Sequence, residues 1–191
     1  MAGAQGRRGN KRIVKTIIIL MILAALGYVG YRVYGGVEGS KKADETMKTL
    51  ESIIPGLGAE TDGPVGMGRD PLASLTVNDL DIVGVIEIPA VDINAPVTAK
   101  GISEEFFATW LDGSPVKGNF QIIARRADLF RRISKLKPGD RVIFTDIEGV
   151  RYEYSVTTQY HLKKWDEGDN DLLLCCESDS DTYFVVGCTA Q

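Results

Sequence analysis

Residues 83–97 constrain this chain more than any other stretch, reading Val-Gly-Val-Ile-Glu-Ile-Pro-Ala-Val-Asp-Ile-Asn-Ala-Pro-Val. Val83, Val85 and Glu87 alternate with Gly84, Ile86 and Ile88, the two-residue period of an extended chain. Pro89 removes a backbone donor and stops the first strand. Asp92 and Asn94 flank Ile93 in a second strand that Pro96 is expected to close. Two short strands therefore meet at a tight proline corner, the geometry of neighbouring strands in a barrel.

Further strands follow. Phe120 to Ala124, Val142 to Phe144, Tyr152 to Thr157, Leu172 to Cys176 and Tyr183 to Cys188 are short apolar or alternating runs. The Glu148-Gly149 turn makes a hairpin of the middle pair, and an acidic turn joins the last two. Helices are expected to be short. One starts at Ser103-Glu104-Glu105, continues through Phe106, Phe107, Trp110 and Leu111, and ends at Asp112-Gly113-Ser114-Pro115. Another spans Ala127 to Leu136, with Leu129, Ile133 and Leu136 inward, before the Pro138-Gly139-Asp140 turn. Many short strands with few helices predict a mainly β, closed barrel.

The N-terminal third differs in character. Arg7, Arg8, Lys11, Arg12 and Lys15 crowd the start, giving a basic cytoplasmic tail over 1–12. Ile17 to Tyr31 is uninterruptedly apolar, and the span widens to 13–34 if Lys15 and Arg32 snorkel. That length crosses a bilayer as one transmembrane helix, and positive charge before it puts the N-terminus in the cytoplasm. No small-x-small site follows, so the span reads as an uncleaved signal anchor rather than a signal peptide. Gly35 to Gly39 reads as a joint, and a helix capped by Ser40 runs to about Ile54 as a stalk or lying on the membrane, carrying Ala43, Met47, Leu50 and Ile54 on one face. With a glycine- and proline-rich linker, stalk and linker cover 35–71, and an extracytoplasmic domain begins near Leu72 and runs to Gln191.

A formal net charge of -4 gives no reason to expect nucleic acid as a partner. Three cysteines, Cys175, Cys176 and Cys188, are too few for a disulfide scaffold, and with one histidine they make a metal site a weak reading. The acidic run Asp166, Glu167, Asp169 and Asp171 has carboxylates that suit calcium, but it lacks a full loop pattern and reads better as a solvated turn. No cofactor is expected.

Three segments together resemble the sortases. Gly84, Ile86, Ile88, Pro89, Ile93, Pro96 and Val97 match that family's opening strands. Gly118, Asn119, Ile122, Arg126, Phe130, Leu136, Lys137, Pro138, Gly139 and Asp140 match its second motif without a gap. Leu172-Leu173-Leu174-Cys175-Cys176 looks like the strand that carries the family's nucleophile. The resemblance implies a sortase-like barrel and a cysteine transpeptidase that cuts a sorting signal and joins a protein to the cell wall or a pilus. It implies Cys176 as nucleophile. The family's histidine position is Arg125, and its arginine position, before Phe184-Val185-Val186, is Tyr183.

Such chemistry needs a thiolate, a proton donor for the leaving amine and a cation for the tetrahedral oxyanion. Cys176 supplies the first. Arg125 or Arg126 suits the oxyanion, and a fixed guanidinium beside the thiol lowers its pKa. A guanidinium releases no proton at accessible pH, so the donor is missing. His161 is the relocated alternative, weighed against an ordinary surface histidine at a strand end. Cys175 and Cys176 are adjacent on a strand, so they face opposite sides, and which one serves the groove stays open. Two functions follow. One is a degenerate sortase kept at the cell surface as a binding or assembly module. The other is a divergent cysteine transpeptidase or hydrolase acting on sorting-signal peptides. A thiol sensor built on Cys175 and Cys176 is a third.

Overall fold

A computed structural model of the protein describes residues 6–54, 56–57, 68–101, 106–125, 129–163, 170–177 and 182–191, with 6–15 and 29–38 described by backbone alone. The chain forms two compact units, Met1–Glu38 and Gly39–Gln191.

One helix, α1, runs Gly6–Ile53, through the glycines expected to form a joint. Helix interiors tolerate glycine at a cost of about 1 kcal/mol each when the flanking residues favour helix. In the first unit the described side chains of α1 are exposed, including Ile17 to Leu23, Leu26 and Tyr28. Among the described residues no helix is long and apolar enough to cross a membrane.

The second unit is a barrel. Its strands are β1 (Leu75–Val77), β2 (Leu80–Ile88), β3 (Ile93–Thr98), β4 (Ala108–Ser114), β5 (Gly118–Ala124), β6 (Arg141–Asp146), β7 (Arg151–Leu162), β8 (Leu172–Glu177) and β9 (Tyr183–Ala190). Their order is β1-β2-β3-β4-β5-β8-β9-β7-β6, and β6 returns to pair with β2. Eight strands thus close, with β1 outside the ring. Closure runs through the opening motif, since Gly84, Val85, Ile86 and Glu87 oppose Asp146, Thr145, Phe144 and Ile143. Gly84 is required there: a Cβ would strike the Thr145 carbonyl oxygen and lie 2.7 Å from the Phe144 ring. Inside pack Val83, Ile86, Ile88, Val97, Phe120, Ile122, Phe144, Tyr154, Leu172 and Leu174. The β2–β3 corner is a single 3-10 turn, Pro89–Val91, closed by Asp92 in the left-handed region.

Several expectations need correction. Pro96 does not close β3; it lies within the strand opposite Val85. It is tolerated because β3 gains its second neighbour, β4, only from Val97 onward. The expected helix through Trp110 and Leu111 is β4 instead, because pairing with β5 recruits Thr109 and Trp110 into the sheet; its proposed start at 103–105 lies outside the described residues. The helix expected over 127–136 is a shorter 3-10 helix, Phe130–Lys135, that buries Phe130 and Ile133. Three residues per turn align those two on one side.

The stalk is also revised. Ala43, Met47, Leu50 and Ile54 do share a face, but that face packs on Val77, Leu80, Ile82, Val85 and Phe107 on the outside of the barrel. Thr46, fully buried, accepts a 3.2 Å hydrogen bond from Asn78 Nδ2. The folded body also takes in residues before Leu72. Gly68 sits against Tyr152, Asp70 pairs with Lys117, and Leu72 itself enters the core.

Candidate functional site

The site is built by strand register. β5 and β8 are parallel neighbours, with Phe120 opposite Leu172 and Ala124 opposite Cys176. β8 is antiparallel to β9, with Cys176 opposite Phe184. β9 is antiparallel to β7, with Phe184 opposite His161. One row therefore crosses four strands: Ala124, Cys176, Phe184, His161. Direct cross-strand partners point to the same side of a sheet. Ala124 and Cys176 belong to the barrel interior, and Phe184 packs against it. The His161 and Phe184 rings meet edge to face, 5.1 Å between centroids. Strands lie about 4.8 Å apart, so the Cys176 and His161 backbones are separated by roughly 10 Å, with Phe184 between them.

Cys176 ends the buried part of β8. It is 4% exposed, and its Sγ donates a 3.6 Å hydrogen bond to the Glu177 carbonyl. Cys175 points the other way, into a cluster on the outer face with Leu173 and Val185. Burial pushes its thiol well above the ordinary cysteine range, with the neighbouring Cys176 a smaller cause. Cys188 lies in the interior, where burial pushes it up to about 12. Neither is a poised nucleophile, since reactivity needs accessible thiolate. Of the three thiols, Cys176 alone lies at the strand end that leads to Arg125.

Arg125 follows β5 directly, one residue beyond the partner of Cys176, and is exposed. Arg126 lies outside the described residues, as do Asp166, Glu167 and Asp169 of the acidic run. Asp171 is described, and its carboxylate accepts the Ala190 N–H at 2.8 Å. Tyr183 opposes Glu177 and packs against the outer cluster that holds Cys175. It is therefore on the opposite face of the sheet from Cys176. Strand alternation carries Thr182, not Tyr183, toward the Cys176 side.

The register brings Cys176, the β5 end leading to Arg125, and His161 to one end of the barrel. It does not bring in Tyr183 or Cys175. Sequence reasoning missed Phe184, the one bulky residue between thiol and imidazole. Folding β8 and β9 as a hairpin about their acidic turn would have found the Cys176–Phe184 pair. The His161 partner needs the longer-range β7–β9 pairing, for which the sequence carries no local signal.

The family profile described as Sortase domain matches residues 86–189. The chain belongs to the sortase family. Solved sortases share its fold. Listeria monocytogenes sortase A is 24% identical, with 58% of this chain and 87% of that chain covered and a TM-score of 0.50. A sortase transpeptidase from Clostridium perfringens is 16% identical over 80% of this chain and 97% of that one, with a TM-score of 0.52. A pilus-related sortase C of Group B Streptococcus is 18% identical over 80% and 90%, with a TM-score of 0.51. No curated protein sequence matches significantly.

Proposed function

We propose that this sortase is a membrane-anchored, extracytoplasmic cysteine transpeptidase acting on sorting-signal peptides of cell-surface proteins. Cys176 is the nucleophile, and the guanidinium of Arg125 or Arg126 stabilises the oxyanion. The observation that carries the reading is the cross-strand row, in which the one histidine of the chain and the candidate nucleophile share a face at the strand end leading into Arg125. It supports His161 as the proton donor. The anchor is supported by the sequence over 13–34, about 33 Å as a helix against a hydrocarbon core of about 30 Å. It is supported also by the exposure of every described apolar side chain in 17–28, since a helix apolar all round needs a lipid or protein surround. The basic tail over 1–12 then stays in the cytoplasm and the barrel faces outward.

A second reading, a binding or assembly module without turnover, is favoured by one specific observation. Cys176 is almost fully buried, and Phe184 separates it from the imidazole. One experiment divides the two. Alkylation of each cysteine is followed against pH, and the protein is then assayed for peptide transfer. Cys176-dependent transfer supports the transpeptidase. A Cys176 that alkylates no faster than Cys175 and Cys188, with no transfer, supports the module.

A further inference from the structure

The row at the barrel end contains one bulky apolar side chain that is only half-buried. Ala124 is too small to cover a neighbour. Phe130 and Ile133, on the 3-10 helix that touches β8 and β9, are 1% and 0% exposed and belong to the core. Phe184 differs. It is half-buried at the second residue of β9, with the core on one side and the His161 ring on the other. Its edge-to-face contact with His161 is a weak one, so an incoming peptide can displace it.

We propose that Phe184 is a gate that seals Cys176 and separates it from His161, and that its outward turn when a peptide binds opens the thiol and makes His161 the proton carrier. This rests on the reading of Cys176 as the transpeptidase nucleophile. With the ring gone, the gap of roughly 10 Å between backbones is spanned by the two side chains and either one water or the leaving amine. The imidazole takes the thiol proton, and the sulfur attacks the scissile carbonyl carbon, forming a C–S bond. The tetrahedral intermediate collapses, the C–N bond breaks, and the imidazolium gives its proton to the departing amine. A primary amine acceptor then attacks the thioester and loses a proton to the imidazole. The C–S bond breaks, and the proton returns to sulfur.

The test uses the full chain. Iodoacetamide labelling of each cysteine is followed by mass spectrometry in wild type, Phe184→Ala and Phe184→Leu. Phe184→Ala is expected to speed Cys176 labelling about tenfold, the equivalent of one lost ring contact, with Cys175 and Cys188 unchanged. Phe184→Leu, which keeps an apolar cover and the fold, is expected to give a smaller increase. Equal Cys176 rates in all three overturn the gate, and so does a parallel rise at all three cysteines. Transfer is then assayed with Leu-Pro-x-Thr-Gly-type peptides and triglycine as acceptor. His161→Gln is expected to lower turnover about 10²- to 10⁴-fold with little change in KM. If Cys176→Ala abolishes transfer while His161→Gln leaves turnover intact, the histidine role fails and the transpeptidase reading stands. If wild type transfers nothing, the transpeptidase reading and the proton role fail together, and labelling still decides the gate.

Discussion

Leu50→Ala tests whether the second half of α1 is a structural part of the barrel. Leu50 has no solvent exposure and lies in a cluster with Val77, Leu80, Ile82, Val85 and Phe107. Removing a fully buried leucine side chain costs about 2–5 kcal/mol, depending on how far the site collapses. This site is walled by two sheet strands and a helix, so partial collapse and a loss near 3 kcal/mol are expected. For a unit of about 150 residues the unfolding entropy is about 0.3 kcal/mol/K, so Tm falls by roughly 9 °C. Thermal and urea unfolding of the full chain, followed by tryptophan fluorescence, measure it. Glu51→Ala, at an exposed neighbour, is the control and is expected to stay within about 0.5 kcal/mol. A Leu50→Ala loss no larger than that of the control would mean the helix is an independent stalk.

Gly84→Ala is expected to cost about 1–3 kcal/mol by forcing β2 away from Thr145 and Phe144 at the closing seam, read as a lower urea midpoint. Asp146 is almost fully buried; its Oδ1 accepts the Glu148 and Val150 N–H groups, and burial raises its pKa. A carboxyl raised in the folded state holds a proton that the unfolded chain has already lost. Stability therefore falls as pH rises from the ordinary carboxylate range through the folded value. Asp146→Asn keeps the acceptor oxygen, so it should flatten that fall in urea midpoint and be at least as stable as wild type at pH 7. Asn78→Ala removes the bond to Thr46 and leaves a left-handed position to alanine, with an expected loss of about 1–2 kcal/mol in the same assay. Cys175 and Cys188 are expected to alkylate at pH 8 only as fast as the protein unfolds, read by mass spectrometry against a urea-unfolded sample.

The strands were legible where alternation and turn residues agreed, as in 83–97 and in the β6–β7 hairpin. β4 was not, because Trp110 and Leu111 follow acidic residues that imitate a helix start, and only pairing with β5 decides the matter. The α1 face was legible as a face. What it packs against was not, since β1, β2 and Phe107 reach it from distant parts of the chain. At the site, alternation correctly put Cys175 and Cys176 on opposite sides. It could not say which side was interior, because both flanking runs are apolar. Tyr183 was chosen by its place before an apolar run, and a one-residue parity difference moved it to the outer face.

The parallel seam between β5 and β8 has a consequence for how such a protein changes over generations. The two motif strands are held by Phe120 to Ile122 and Leu172 to Leu174, deep in the barrel, whereas Arg125 lies beyond the seam in solvent. An exchange at the exposed Arg125 is expected to leave fold stability nearly untouched. A lineage can therefore exchange the residue at this rim position by neutral drift, without passing through an unstable ancestor. The barrel tolerates such experiments at its rim and forbids them at Gly84.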